Sequence, residues 1–198
     1  MTKRFFNLAL IFSVCLLPLA AFSGSAELDK PAPLFKLKGV DGKEYELAGM
    51  KGKKAVVVMF IATRCPYSNA YNERMVKLFD DYNKKGVVFL GINANNTEAI
   101  DEVREHAAKH EFAFPVLKDE SNVVADAYGA QFTPEIFLLD GNLNLRYHGR
   151  IDNSHKIKDV ETHDLRNALD TLLAGKEITK KETKAFGCTI KRVKKESD

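Results

Sequence analysis

The stretch VVVMFIATRCPYS, residues 56–68, decides how this chain is read. Residues 56–61 form a continuous apolar run rich in β-branched side chains, the pattern of a strand buried on both faces. After a short joint, Cys65 is followed by Pro66, and proline suits the first position of a helix. A thiol at that place meets the positive end of the helix dipole and unpaired backbone N–H groups, both of which favour the thiolate. Cys65 is therefore the candidate redox nucleophile.

Working outward, apolar Tyr71, Met75, Leu78, Phe79 and Tyr82 recur at helical spacing, so a helix is expected over 66–85, stopped by Gly86. On the N-terminal side, residues 35–37 and 44–47 around Asp41-Gly42 read as a hairpin. Further on come a strand over 87–92, a helix over 97–109 opened by Thr97 and Glu98, a strand over 114–117 and a helix over 121–128. Strands over 135–139 and 144–148 flank the turn Asp140-Gly141-Asn142; a polar loop over 149–160 and a helix over 161–174 follow, closed by Gly175. This order predicts an α/β sandwich with a mixed central sheet flanked by helices, an N-terminal hairpin and an unpatterned C-terminal tail over 176–198.

The first 26 residues have the layout of a secretory signal: Lys3 and Arg4, an apolar run from Phe5 to about Leu19, then small Gly24, Ser25 and Ala26. A membrane anchor is the competing reading, but the run sits at the lower limit for a span and contains Asn7, Ser13 and Pro18. Residues 27–198 are expected to form one domain. Removing the leader takes away Cys15 and reduces 30 basic residues to 28 against 27 acidic, so no strong field draws the chain to nucleic acid. The basic residues near the end, Lys191, Arg192, Lys194 and Lys195, stand beside Glu196 and Asp198 as a solvated tail. Export leaves Cys65 and Cys188 where a disulfide can persist.

CPYSNAYNERM, VVFLGINAN, YGAQFTPEIFLLD, YHGRID, LRNALDTLLAGK and FGCTIKR, in that order, resemble the peroxiredoxin-like redoxins of the thioredoxin superfamily, the alkyl hydroperoxide reductase and thiol-specific antioxidant group. The resemblance implies a thioredoxin-like three-layer sandwich in which Thr133-Pro134 is a cis-proline joint facing the active thiol. It further implies that Thr133 and Pro134 orient an extended thiol-bearing partner, and that Cys188 resolves oxidised Cys65. The competing readings of Cys188 are a permanent staple and a buried free thiol. Three departures are visible. Ser68 stands where a dithiol motif has its second cysteine, Ala62 and Val58 stand where peroxidatic sites have a hydroxyl residue and a proline, and Met59 replaces a buried aspartate upstream of the thiol. The Ala62 and Val58 departures disfavour peroxide reduction, although Thr63 is near enough to offer a hydroxyl.

Around Cys65, Arg64 is read either as a cation that lowers the thiol pKa or as an ordinary surface arginine. Ser68 either hydrogen-bonds the sulfur or caps the helix, and Tyr67 either lines a substrate groove or is an exposed aromatic. His106 and His110, four apart on a helix, lack a third ligand at metal spacing and read as a solvated face. Asp152 and His155 read as loop polarity. No dinucleotide, Walker or nucleophile-elbow pattern appears, so neither an organic cofactor nor a metal is implied.

The leading expectation is an exported thiol-disulfide oxidoreductase using Cys65 and Cys188, with a thiol or disulfide protein, or a peroxide, as partner and an external reductant. A thiol peroxidase and a non-catalytic binding module with structural cysteines are the alternatives. N-terminal sequencing of the exported protein is expected to read from Glu27; a mature chain beginning at Met1 would establish an anchor instead.

Overall fold

The computed structural model describes residues 25–194. The expected signal falls on residues that, apart from the last two, lie outside the described ones, as do Lys195, Glu196 and Asp198 of the tail.

A seven-stranded mixed sheet forms the middle layer. Its strands are β1 (Lys36–Gly39), β2 (Glu44–Glu46), β3 (Ala55–Ile61), β4 (Val87–Asn93), β5 (Val116–Lys118), β7 (Glu135–Asp140) and β8 (Leu145–Gly149), in the order β2-β1-β5-β4-β3-β7-β8. β3 lies at the centre, parallel to β4 and antiparallel to β7. All seven of its residues are buried, which accounts for its unbroken apolar run. Alternate β3 side chains divide two cores. Val57, Met59 and Ile61 pack with α2 (Asn72–Tyr82), α3 (Ile100–Lys109) and α5 (Asp164–Leu173). Val56, Val58 and Phe60 pack with α4 (Val123–Tyr128) and the N-terminal segment around Ala32 and Phe35. The three layers are those expected from the sequence.

The helix expected over 66–85 is two helices. A single turn, α1 (Pro66–Asn69), is followed by a break at Ala70-Tyr71 and then α2; a 3-10 turn (Asn83–Lys85) and left-handed Gly86 close the segment. The physical cause of the break is Arg74. Its guanidinium donates to the Ala70 carbonyl at 3.0 Å, lies 3.6 Å from the Tyr71 ring centre, and reaches Asp152 Oδ2 at 2.6 Å and the carbonyls of Ser154 and His155 at 2.8 and 2.7 Å. The Tyr71 hydroxyl donates to Asp152 Oδ1 at 2.8 Å. Asp152, expected to be loop polarity, is thus a buried anchor that ties the loop after β8 to the helix break, and it sets the position of His155 beside the site.

The tail also differs from expectation. It runs back across the molecule, bridging Glu182 to His148 alongside β8. Its last strand, β9 (Cys188–Thr189), pairs antiparallel with β6 (Phe132–Thr133), placing Cys188 opposite Thr133. Two-residue strands carry no readable alternation, so neither was visible in the sequence.

Replacing Asp152 with alanine leaves the Arg74 charge buried and the Tyr71 hydroxyl unpaired. The Asp152→Ala variant is expected to lose about 3–5 kcal/mol of unfolding free energy, read from urea melts; a loss under about 1 kcal/mol, the surface-pair value, would remove Asp152 as an anchor.

Candidate active site

The site is built where β3 ends. Cys65 caps α1 with an extended backbone, and its sulfur accepts from the Ser68 N–H at 3.3 Å. The same sulfur lies 3.3 Å from the Thr133 carbonyl oxygen, directly before the cis Thr133-Pro134 bond. Cys65 and Cys188 are joined by a disulfide with Cα atoms 5.9 Å apart. Cys65 is only 3 % exposed, whereas Cys188 is half-buried. The thiol position is therefore covered by the tail rather than lying on an open joint.

The turn from β3 into α1 is held by a carboxylate that sequence reasoning assigned elsewhere. Glu98, read as part of the N-terminus of α3, precedes that helix, whose N-cap is Ala99. It is 2 % exposed and accepts four N–H bonds: from the backbone of Thr63 and Arg64 at 2.8 and 3.0 Å, and from Asn93 and Asn95 side chains at 2.5 and 3.1 Å. Beneath it, the Lys118 ammonium donates to Asn93 Oδ1 at 2.8 Å and the Asn95 carbonyl at 2.6 Å. Burial pulls Lys118 below the usual lysine value, opposed by the charge of Glu98.

The cis joint has its own buried carboxylate. Glu135 Oε2 accepts from the Gln131 and Phe132 N–H groups at 2.7 and 2.8 Å, and its Oε1 is 2.7 Å from His148 Nε2. The tail is fastened on its far side by the same polar cluster that seats Glu98. Lys191 N–H donates to Asn95 Oδ1 at 2.7 Å, Val193 N–H to Asn122 Oδ1 at 2.8 Å, and Arg192 to Asp126 at 2.8 Å and to the Ala130 carbonyl.

The residues singled out from the sequence fall as follows. Arg64, Cys65, Pro66, Tyr67, Ser68, Thr133, Pro134 and Cys188 belong to the β3–α1 joint, the cis joint and the tail strand packed against them. Arg64 is bidentate to Glu102 at 2.7 and 2.5 Å on the surface. This pairing holds the Glu102 carboxyl below its ordinary value and leaves little unbalanced positive charge for the sulfur. Ser68 neither caps through its hydroxyl nor bonds the sulfur with it: Oγ, fully buried, accepts from the Ala62 N–H at 3.1 Å and stitches α1 to the end of β3. Tyr67 packs against His155 in a tilted arrangement with ring centres 4.7 Å apart and meets the tail's Phe186 at 6.4 Å. His106 is half-buried rather than solvated; Asn72 Nδ2 lies 3.3 Å from its Nε2, and burial and His110 lower its pKa. Among the described residues no group of three or more His, Cys, Asp or Glu is placed to hold a metal.

Comparison with known proteins bears on the family and the fold. The model of the AhpC/TSA family matches residues 28–159. A thiol-disulfide oxidoreductase ResA from Halalkalibacterium halodurans is 30% identical over 130 residues, 66% of this chain and 69% of that one. Several further curated relatives are covered over about two thirds of their length or slightly less. A crystal structure of a hypothetical protein from Sinorhizobium meliloti superposes with a TM-score of 0.79 at 36% identity, covering 86% of this chain and 97% of that one. A putative thiol:disulfide interchange protein DsbE from Chlorobium tepidum, 22% identical, superposes with a TM-score of 0.65 over 75% of this chain and 99% of its own, which shows the shared thioredoxin-like fold. The chain belongs to the AhpC/TSA family of thiol-dependent oxidoreductases.

Proposed function

We propose that residues 27–198 form one exported thioredoxin-like domain acting as a thiol-disulfide oxidoreductase, with Cys65 and Cys188 as its redox couple. The observation that carries this reading is the Cys65–Cys188 disulfide lying against the cis Thr133-Pro134 joint. Export is supported by the Lys3, Arg4, apolar and small-residue order of the leader, and by a disulfide, which persists in oxidising compartments. Among the described residues no helix is long and apolar enough to cross a membrane.

In the reduced protein the Cys65 sulfur keeps the Ser68 N–H as a donor, which favours the thiolate that attacks. That thiolate attacks one sulfur of a partner disulfide; a Cys65–partner bond forms, and the displaced partner sulfur leaves as thiolate and takes up a proton. Cys188, as thiolate, then attacks the Cys65 sulfur. The mixed disulfide breaks, the partner leaves with both sulfurs reduced and with the two electrons, and the Cys65–Cys188 pair that gave them up is left as a disulfide. An external dithiol reduces it for the next turn. Ser68 cannot take this role, because an alcohol forms no disulfide; its hydroxyl instead accepts from the Ala62 N–H.

The peroxide alternative has one observation in its favour: Thr63 Oγ1, two residues before Cys65, is buried without a hydrogen-bond partner. Against it, Ala62 and Val58 supply neither the hydroxyl nor the proline of a peroxidatic site. Peroxide consumption by the reduced protein tests it directly.

Cys65→Ser is expected to abolish disulfide exchange. Cys188→Ser is expected to stop turnover but leave the first step intact, so one oxidising pulse accumulates a mixed disulfide or sulfenic acid at Cys65, visible by mass. Under oxidising conditions either variant loses the bridge, and with it about 2–5 kcal/mol of stability. A Cys188→Ser protein with undiminished turnover would remove Cys188 from the couple, and a Cys65→Ser protein with full exchange would remove Cys65.

A further inference from the structure

The tail strand occupies the edge of β6 in the manner of a bound peptide. It is extended, antiparallel, and delivers one cysteine onto Cys65. Three of its neighbours define how tightly that edge reads a sequence. Gly187, immediately before the cysteine, adopts a φ of 156°; a Cβ there would overlap the Thr133 carbonyl oxygen and stand 2.8 Å from the carbonyl carbon. The obstacle is backbone beside the cis bond, fixed by Glu135 through the Gln131 and Phe132 N–H groups, so it cannot swing aside like a flexible side chain. Phe186, two residues before the cysteine, packs against the Tyr67 and Tyr71 rings at 6.4 and 6.5 Å. Ile190, two residues after it, is 6 % exposed and donates its N–H to the Gln131 carbonyl at 2.9 Å.

We infer that the β6 edge is a selective docking groove for extended cysteine-bearing segments of partner proteins, and that it accepts those with glycine immediately before the reactive cysteine. The inference rests on the reading of Cys65 as the reactive thiol. An aromatic residue two before the cysteine and an aliphatic one two after complete the pattern that the chain's own residues 186–190 display. Partner and tail use the same backbone positions, so they exclude one another. A partner seated on β6 forms its disulfide with Cys65 while the tail is off the edge; Cys188 reaches the Cys65 sulfur only as the partner strand leaves. Resolution and release are therefore one movement, in which the Cys65–Cys188 bond replaces the Cys65–partner bond and the partner sulfur departs as thiolate.

The test uses the full chain carrying Cys15→Ser and Cys188→Ser, with Cys65 converted to its mixed disulfide with 5-thio-2-nitrobenzoate. A peptide copying residues 185–191, and the same peptide with Gly187→Ala, are added separately and release of the coloured thiolate is followed. Both peptides are first matched against the free aromatic disulfide, where no groove acts. On the folded protein the glycine peptide is expected to react at least about tenfold faster, a ratio at the low end of what overpacking against fixed backbone produces. Adding Gly187→Ala to the chain itself should unseat the tail and raise the rate of the glycine peptide further. Equal rates for the two peptides overturn the glycine rule while leaving Cys65 chemistry standing. A rate unaffected by Gly187→Ala in the chain overturns the shared groove. A folded protein whose Cys65 takes no label overturns both this inference and the reading beneath it.

Discussion

A single buried carboxylate, Glu98, holds the end of the central strand in the shape the site requires. Where β3 stops, the backbone N–H groups of Thr63 and Arg64 leave the sheet ladder and face inward, and without an acceptor each would carry the cost of an unpaired buried donor. Glu98 accepts both and shares the remainder of its capacity with Asn93 and Asn95 at the end of the neighbouring strand β4. Lys118 supplies a positive charge to the same cluster through those asparagines. The ends of β3, β4 and β5 are thus locked in one hydrogen-bonded group, and Cys65 follows two residues after Thr63 with no freedom to drift. A buried charge is worth keeping only where every lone pair is met, and here the four N–H donors meet it.

The second sulfur reaches the site by a different logic. In this chain the place three residues after Cys65 is occupied by Ser68, whose hydroxyl is spent on Ala62. The second sulfur of the disulfide comes from the tail, which is placed by pairing with β6 and by fastening to the asparagine cluster that also seats Glu98. One polar cluster therefore sets both halves of the disulfide. Glu135 does the corresponding work for the cis joint, holding Gln131 and Phe132 so that the Thr133 carbonyl points at the sulfur.

Much of the layering was legible because it is periodic. The unbroken apolar run of β3, the spacing of Tyr71, Met75, Leu78 and Tyr82, the Asp140-Gly141-Asn142 turn and the Cys65-Pro66 joint are all local signals. What escaped depends on contacts between distant segments. Glu98 reads as a helix-opening acid because the two backbone N–H groups it holds lie 35 and 34 residues away. Arg74 breaks a helix that its own spacing predicts, because its partners are in the loop after β8. The sequence offers Ser68 two roles and it performs a third, since nothing in its neighbours announces that a strand end needs its oxygen. Nothing in the sequence around Cys65 announces that it is buried against the distant cis joint and the tail strand.

The tail is fastened on both sides of Cys188. Upstream, Thr183 donates its N–H to the His148 carbonyl and its hydroxyl bonds Tyr147 and Arg150; downstream, Lys191 is held by Asn95. The seven residues between those moorings can bow away from the site without the chain end coming loose. Fully stretched, such a span is about 23–25 Å long, so it forms an arch rather than a flap. An opening bounded by an intact arch of that length is wide enough for an extended strand or a hairpin tip and too narrow for a folded domain.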